Sequence, residues 1–317
     1  MNRPEPEPTI LDAAARAGWL YYVGGMTQDQ IAAELGVSRQ RAQRLVSRAM
    51  AEGLIHVRLD HKIGACLELE AALIRRFGLK TAVVAPDLGP GADANRAIAA
   101  PAARLLERYL RSPDPLIVAL GTGRALRSMA DQFTPIEGGG RHRIVSLIGN
   151  IAPDGSATLF DVIMKIAEKL SAPHYPMPVP VVSDTAEERA FFMHLRPVQN
   201  VVALAAKPDI TFVGVGQMGD DAPLYLDGFV SREVLAELQA QGAVGEIVSW
   251  VYDANGNYIE SDRNALVGGI RIEQGRESPV IAVAAGDSKV AAIRGAMAGR
   301  IINGLVTDER TAVLLVS

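Results

Sequence analysis

The chain has 317 residues, of which 49% are hydrophobic and 21% charged, so it is long and apolar enough to bury a large core. The formal net charge of −4 excludes an overall basic surface, and a single cysteine, Cys66, excludes a disulfide framework and a cysteine-rich zinc site. No apolar run is long enough to span a membrane and no secretory leader opens the chain, so we expect a cytoplasmic protein without a membrane partner.

The chain opens with a polar tail and a helix. Residues 2–8 alternate proline with charged or polar residues, which predicts a disordered tail. The apolar residues that follow predict a helix over residues 9–23. This helix would support the more informative segment that comes next.

Residues 26–54 have the pattern of a helix-turn-helix. Ala32 and Ala42 permit close packing of two helices, and Gly36 permits the positive φ of the turn between them. Gly53 predicts the end of the second helix. The second helix would then be short, amphipathic and able to enter a major groove.

Capping residues support these helix boundaries. Thr27 with Gln30 three residues later predicts a capping box for the first helix, and Ser38 predicts the N-cap of the second. The spacing of the apolar residues predicts which face of the second helix is buried. These residues are Ala42, Leu45, Val46 and Ala49.

The opposite face of the second helix is rich in arginine and glutamine, whose side chains suit guanine and adenine edges or phosphates. We therefore predict contacts with double-stranded operator DNA from this face and from the helix starts. The alternative is a helical hairpin with a solvated charged face. The predicted DNA-binding residues are Thr27, Gln28, Ser38, Arg39, Gln40, Arg41, Gln43, Arg44 and Arg48.

After the second helix, residues 55–59 alternate apolar and polar side chains, as a short strand does. This strand would be a small wing or only the exit from the helical unit. We place the domain boundary after residue 60, which gives a DNA-binding domain of residues 1–60 and a larger domain of residues 61–317.

The larger domain alternates predicted strands with predicted helices, which indicates a Rossmann-like, mainly parallel α/β sheet with helices on both faces. In such sheets ligands bind at the carboxyl ends of the strands, near a topological switch point. The predicted strands are residues 81–85, 116–120, 144–148, 210–215, 280–284 and 312–316. The predicted helices are residues 67–77, 93–109, 123–133, 158–170, 198–206, 231–241 and 288–303.

A glycine-containing loop follows the strand at residues 116–120. Its backbone N–H groups and the start of the next helix would form an anion cradle, to which Thr122 adds a hydroxyl and Arg124 a charge. The alternative is a plain strand–helix turn. The predicted phosphate-binding residues are Gly121, Thr122, Gly123 and Arg124.

A GxGxxG sequence at residues 214–219 follows the strand at 210–215. Asp220 and Asp221 come next and do not continue a helix, so we do not interpret it as a dinucleotide fingerprint. We expect a loop that lines a sugar-sized pocket, or else a structural loop without a ligand. The residues proposed to touch a ligand are Gly216, Gln217 and Met218.

Lys289 follows the strand at 280–284. Asp287 or Ser288 would cap the next helix, which would put Lys289 in its first turn, where the helix dipole disfavours a cation. An anion bound between Lys289 and the free N–H groups would explain its presence. A solvated lysine is the alternative.

Three further polar residues follow apolar runs. Asp253 begins a turn with an Asn-Gly hairpin signal, so a pure turn role is at least as plausible as a sugar contact. Asp308 is a sugar-hydroxyl acceptor or a turn residue, and Asn150 is a weaker candidate. Capping alone explains Asp184, which precedes a helix with Glu187 in capping position.

Three segments together make the chain resemble the SorC family of bacterial transcriptional regulators from about residue 11 to 316. They are residues 20–57, VALGTGRALRSMA and AGDSKVAAIRGAMAGRIINGLVTDERTA. The resemblance implies an effector domain similar to glucosamine-phosphate deaminases and ribose-phosphate isomerases. It also implies a phosphorylated sugar effector, assembly into a homodimer or homotetramer, and no cofactor.

The resemblance also assigns roles by position. Residues 121–124 and Lys289 would hold phosphate, and Asp253 with the loop at 216–218 would contact the sugar. Many relatives carry a second threonine in the phosphate loop, where this chain has Arg124 and Ala125.

Two functions compete at this point. In the first, a sugar or polyol effector modulates operator binding by a regulator of a catabolic operon. In the second, the larger domain is an active sugar-phosphate isomerase or deaminase, with Asp253, Asp308 or Asp184 as its base. The five histidines are scattered and none closely follows a predicted pocket strand, so we favour the non-enzymatic regulator.

Overall fold

The structure is a computed structural model that describes residues 9–55, 57, 63–89, 91–152, 154–156 and 162–317. It divides into two compact units, Met1–His61 and Lys62–Ser317. The predicted tail at residues 2–8 and most of the predicted strand at 55–59 lie outside the described residues.

The N-terminal unit contains three helices: α1 (Ile10–Tyr22), α2 (Gln28–Leu35) and α3 (Arg39–Ala51). The predicted capping box is present, since the Gln30 N–H donates to Thr27 Oγ1 at 3.3 Å and the Thr27 N–H donates to Gln30 Oε1 at 2.8 Å. Gly36 ends α2 at φ 64° and Ser38 caps α3, so the helix-turn-helix prediction is confirmed.

A small core holds the three helices together. It contains the four predicted residues of α3 (Ala42, Leu45, Val46 and Ala49) and three from the other helices (Ala14, Ala17 and Ile31). At Gly18 of α1, a Cβ would lie 2.8 Å from the Ala49 Cβ, so the absence of a side chain lets α1 approach α3 closely. The sequence pattern did not single out Gly18.

A seven-stranded parallel sheet is the centre of the larger unit, which confirms the predicted fold class. Its strands lie in the order β1-β10-β9-β5-β2-β3-β4. They are β1 (Thr81–Ala85), β2 (Ile117–Leu120), β3 (Arg143–Ile151), β4 (His174–Pro180), β5 (Ile210–Val213), β9 (Val280–Val283) and β10 (Gly304–Asp308).

Helices cover both faces of this sheet. One face packs against α5 (Ala94–Leu110), α6 (Arg124–Gln132) and α7, of which the structure describes Val162–Leu170. The other face packs against α4 (Gly64–Phe77), α9 (Arg196–Ala205), α12 (Val290–Ala298) and α13 (Glu309–Val316). α8 (Ala186–His194) precedes α9 and buries none of its residues.

A three-stranded antiparallel sheet was not predicted. It consists of β6 (Gly216–Gln217), β7 (Ala243–Ile247) and β8 (Trp250–Asp253), with α10 (Pro223–Leu226) and α11 (Arg232–Ala240) between β6 and β7. Val248 and Ser249 join β7 to β8 at φ 55° and 65°. Positive φ in residues with a side chain costs about 1–2 kcal/mol each, and such strain concentrates at functional sites.

The predicted strand at residues 312–316 is wrong. These residues belong to α13, and the strand is β10, immediately before it. Asp308 caps α13 by accepting a hydrogen bond from the Thr311 N–H at 3.0 Å, and Thr311, Ala312 and Leu315 are buried at a helical spacing. A short apolar run does not by itself distinguish a strand from a buried helix face.

Two helix starts also differ from prediction. Residues 287–289 form a 3₁₀ turn, α12 begins only at Val290, and Lys289 is its N-cap rather than a first-turn residue. The Asp287 carboxylate binds Arg310 instead of capping the helix. Before α8, Thr185 supplies the cap that was assigned to Asp184.

The order of the strands reverses between β2 and β5. The chain runs outward from β2 through β3 to β4, and then returns to the other side of β2 with β5 and β9. Loops that leave adjacent strands in opposite directions open a crevice at the carboxyl ends of those strands. The loops after β2 and β5 are therefore where this fold provides a ligand site.

Candidate functional site

The predicted DNA-binding residues lie along one side of the helix-turn-helix. Thr27 and Ser38 cap α2 and α3, and Gln28 is the first residue of α2, where it is half-buried. The remaining predicted residues are exposed on α3. They are Arg39, Gln40, Arg41, Gln43, Arg44 and Arg48.

The arginines of α3 differ in their partners. Arg39 Nε lies 3.4 Å from Asp29 Oδ1, and Arg48 Nε lies 3.3 Å from Glu52 Oε1. The side chains of Arg41 and Arg44 make no ion pair or hydrogen bond with any residue in the described ranges. These two guanidinium groups are the ones available to phosphates or base edges without breaking an internal contact.

A cavity of about 230 Å³ lies at the switch point of the larger unit. It brings together six of the residues predicted to bind the effector: Gly121, Thr122, Gly123, Arg124, Gly216 and Lys289. The loop after β2, the loop after β5 and the β7–β8 turn all contribute to its wall. Its apolar lining includes Leu224 and Phe229.

One end of the cavity suits an anion. α6 begins at Arg124 without a side-chain cap, because its N-cap is Gly123 at φ 113°. Lys289 lines the same cavity, and its ammonium makes no ion pair or hydrogen bond within the described part of the chain. Burial lowers the pKa of Lys289, while the nearby Glu246 carboxylate raises it. A helix start without a side-chain cap and an ammonium without a partner among the described residues are features that favour an anion.

Glu246 of β7 faces the same cavity and was missed by the sequence analysis. The Ser249 N–H donates to Glu246 Oε2 at 2.8 Å, and Oε1 occupies the space that a Cβ on Gly216 would fill. Burial raises the pKa of Glu246, although the Ser249 hydrogen bond and the charges of Arg263 and Lys289 lower it. A fixed carboxylate of this kind accepts hydrogen bonds from sugar or polyol hydroxyls.

Arg263 supports the wall that carries Glu246. It is 7% exposed, and its Nη1 donates to the Ser249 carbonyl oxygen at 2.7 Å. Burial lowers the pKa of Arg263 to about 10, against the raising effect of Glu246. Arg263 therefore holds the strained β7–β8 turn in the shape that directs Ser249 toward Glu246.

Asn95, in the first turn of α5, is another lining residue that the sequence pattern did not identify. Its Oδ1 is buried and has no hydrogen-bond partner among the described residues. A buried acceptor without a partner is uncommon, and a ligand hydroxyl would satisfy it. No sequence signal marked Asn95, because it looks like an ordinary residue two positions after a helix cap.

Five predicted effector-binding residues do not line this cavity: Asn150, Gln217, Met218, Asp253 and Asp308. Asn150 lies near the end of β3, and Asp308 caps α13. Asp253 accepts hydrogen bonds from the N–H groups of Asn255 and Asn257 at 2.9 and 2.8 Å, so its carboxylate organises a turn.

The other two of these residues lie at the end of β6, Gln217 as its last residue and Met218 directly after it. Gln217 Nε2 donates to Asp221 Oδ1 at 2.9 Å, which keeps the Gln217 amide within its own loop. Met218 packs with Leu235 and Leu238 in a separate apolar cluster. The literal GxGxxG motif thus contributes Gly214, Val215 and Gly216 to the cavity, whereas its other three residues do not line it.

The described residues offer neither a metal site nor a membrane-spanning helix. No group of three or more His, Cys, Asp or Glu side chains is arranged to hold a metal ion. No helix among these residues is long and apolar enough to cross a membrane.

Comparisons with known proteins match both units. A family model described as "Putative sugar-binding domain" matches residues 61–317, and a MarR family model matches residues 17–62. The chain is 34% identical to the erythritol catabolism regulatory protein EryD of Brucella abortus over 303 residues, which is 96% of each protein. It is 32% identical to the transcriptional regulator LsrR of Klebsiella pneumoniae, covering 95% of this chain and 91% of LsrR.

A solved structure shows the same architecture. The full-length sorbitol operon regulator SorC from Klebsiella pneumoniae superimposes with a TM-score of 0.72 at 28% identity, covering 97% of this chain and 99% of SorC. These relatives are transcriptional regulators by name, so the alternative of a sugar-phosphate isomerase or deaminase is not supported. The chain belongs to the SorC family of sugar-binding transcriptional regulators.

Proposed function

We propose that the chain regulates an operon for carbohydrate or polyol catabolism, and that a phosphorylated sugar or polyol modulates its binding to operator DNA. Residues 1–60 bind the operator, and residues 61–317 bind the effector and assemble the protein. The names of EryD and SorC, which refer to erythritol catabolism and a sorbitol operon, support this class of effector.

The observation that carries the proposal is the unpaired Lys289 ammonium beside the uncapped start of α6. A phosphate there would bind the backbone N–H groups at the start of α6 and the Lys289 ammonium. Glu246 and Asn95 then accept hydrogen bonds from hydroxyl groups of the same molecule. The cavity of about 230 Å³ suits a small effector.

Operator binding uses the exposed side of α3, including Arg41 and Arg44, whose guanidinium groups have no partner among the described residues. The formal charge of −4 gives the whole chain no basic field, so a single copy would bind DNA weakly. We infer a homodimer or homotetramer, which presents two recognition helices to a two-fold operator in the bacterial cytoplasm. A coupling free energy of about 1–3 kcal/mol between effector and operator would give roughly 5- to 150-fold control.

The test titrates a labelled operator fragment with the full-length protein in the presence of free and phosphorylated four- to six-carbon sugars and polyols. A phosphorylated compound should change operator affinity and raise the melting temperature of the protein. Lys289→Ala should lose the response to that compound. Wild-type effector affinity in this variant would contradict the assignment of Lys289.

A second variant separates the two sites. Arg44→Ala should weaken operator binding by about 1–3 kcal/mol and retain the effector-induced rise in melting temperature. Arg75→Ala is the matched control, because Arg75 is an exposed arginine on α4 of the larger unit. Equal operator affinity of Arg44→Ala and Arg75→Ala would remove Arg44 from the interface.

A further inference from the structure

Arg124 and Asp227 form a bidentate ion pair at the cavity wall. Arg124 Nη2 lies 2.7 Å from Asp227 Oδ1, and Nη1 lies 3.2 Å from Oδ2. Both residues line the cavity, Arg124 from the start of α6 and Asp227 from the residue after α10. The pair therefore joins the anion-binding loop to the segment between the small sheet's first two strands.

The ion pair engages the Arg124 guanidinium, which is a group that a bound phosphate would also contact. Arg124 is the first residue of α6, beside the uncapped N–H groups, and its guanidinium fork matches phosphate as well as carboxylate. The formal charges of the residues that line the cavity sum to zero. Arg124 and Lys289 are the two cations, and Asp227 and Glu246 are the two anions. An entering phosphate must draw Arg124 away from Asp227 or lie beside a carboxylate that repels it.

Inorganic phosphate and a phosphorylated polyol meet this obstacle differently. Inorganic phosphate makes only the anion contacts. Competition with Asp227 therefore lowers its affinity, and no other contact offsets the loss. A phosphorylated polyol gains further hydrogen bonds at Glu246 and at the unsatisfied Asn95 Oδ1, which offset the competition. The cavity can thus discriminate between two ligands that carry the same charged group.

We propose that Asp227 is a specificity-determining residue, which makes the effector site reject inorganic phosphate and sulfate by holding Arg124. The proposal rests on the phosphorylated effector proposed above. It assigns to the Arg124–Asp227 pair the role of an internal competitor. Such a competitor lowers the occupancy of the subsite by free phosphate, which would otherwise compete with the effector.

The test measures binding of inorganic phosphate and of sulfate to the full-length protein by calorimetry and thermal shift. Asp227→Asn keeps the shape of the side chain and removes its charge, and it should bind inorganic phosphate at least about tenfold more tightly than the wild type. The double variant Arg124→Gln/Asp227→Asn should lose that gain. Asp220→Asn should match the wild type, since Asp220 lies outside the cavity and its ion pair among the described residues is with Arg232, at 3.9 Å.

The outcomes separate this inference from the proposed function. Unchanged or weaker phosphate binding by Asp227→Asn, with the native melting curve retained, would overturn the inference. If Lys289→Gln then abolishes the weak binding by the wild type, the anion site itself still stands. If neither the wild type nor Asp227→Asn binds phosphate, and no phosphorylated polyol alters operator binding, both the inference and the proposed effector fail.

Discussion

Tyr252 donates a hydrogen bond from its hydroxyl to the carbonyl oxygen of Ala292 at 3.0 Å. This contact joins β8 of the small sheet to α12, the helix that Lys289 precedes. Tyr252 is fully buried, and Gly245 leaves room for its ring, because a Cβ there would lie 2.6 Å from the hydroxyl. The sheet that carries Glu246 is thereby fixed to the element that carries Lys289.

Loss of this hydroxyl should destabilise the larger unit. We expect Tyr252→Phe to lower the free energy of unfolding by about 1 kcal/mol, because the Ala292 carbonyl loses a buried donor. Urea denaturation measures the change. Tyr109→Phe is the control, since the half-buried Tyr109 hydroxyl has no hydrogen-bond partner in the described part of the chain. Equal stability of the two variants would show that the contact contributes nothing.

Glu246 depends on the small size of Gly216. An added methyl group at residue 216 would collide with the Glu246 carboxylate, which can move because it is the end of a flexible side chain. Gly216→Ala should therefore weaken effector binding by an order of magnitude or more while the protein remains folded. Calorimetry with the identified effector tests this.

A compensating change sharpens this experiment. Glu246→Asp withdraws the carboxylate by one methylene, so Gly216→Ala/Glu246→Asp should bind the effector better than Gly216→Ala alone. If the double variant is instead worse than either single variant, steric displacement of Glu246 is not the cause of the loss.

Phosphate binding should weaken in mildly alkaline solution. Burial lowers the pKa of Lys289 below its ordinary value of 10.5, opposed by Glu246 and Asp93 and reinforced by Arg124. Lys289 therefore loses its charge at a lower pH than an exposed lysine, and anion affinity should fall as the pH is raised from 8 to about 10. Phosphate is already a dianion throughout this range.

The variant Lys289→Arg distinguishes this cause from a general effect of pH. The ordinary pKa of arginine is about two units above that of lysine, so the affinity of Lys289→Arg for phosphate should fall less over the same range. A parallel decline in the two proteins would exclude deprotonation of Lys289 as the explanation.

His142 should make the larger unit sensitive to acid. The Leu116 N–H donates to Nδ1 at 3.1 Å, and Nε2 lies 2.9 Å from the Leu110 carbonyl oxygen, which together require the neutral Nε2–H tautomer. Burial lowers the pKa of His142 from its ordinary 6.5; the Leu110 carbonyl raises it and Arg141 lowers it further. The folded state therefore binds fewer protons than the unfolded state below pH 6.5.

It follows that the stability due to neutral His142 is complete above pH 6.5 and is lost as the pH falls toward the lowered pKa of the folded protein. The difference in unfolding free energy between the wild type and His142→Gln should shrink from pH 8 to pH 5. His174→Gln, at an exposed position on β4, should show no such trend. A difference for His142→Gln that is constant with pH would contradict the prediction.

Local signals explain why the helix-turn-helix was predicted well. Thr27, Gln30, Gly36 and Ser38 act on residues no more than a few positions away, so their effect can be inferred from spacing alone. The strand–loop–helix at Gly121 was predictable for the same reason. In both segments, the contacts that define the secondary structure are made between residues that are close in the sequence.

Distant contacts explain what was missed. Glu246 lies in a short strand whose partner, β6, is two residues long and gives no pattern of its own. The position of Asp227 at the cavity could not be predicted, because its partner Arg124 lies about a hundred residues earlier in the chain. The misassigned residues 312–316 show a related limit, because an apolar run fits either element until its cap at Asp308 is recognised.

The edge strand β1 pairs along its whole length with β10, from Thr81 opposite Gly304 to Ala85 opposite Asp308. During synthesis, β1 leaves the ribosome long before its only neighbour in the described sheet exists. The helices α1, α2 and α3 pack against each other across short sequence separations, so the N-terminal unit can fold early. The larger unit cannot complete its sheet until nearly all of the chain has been synthesised. The nascent chain would thus complete its DNA-binding helices well before its larger unit, and β1 would have no strand to pair with in the interval.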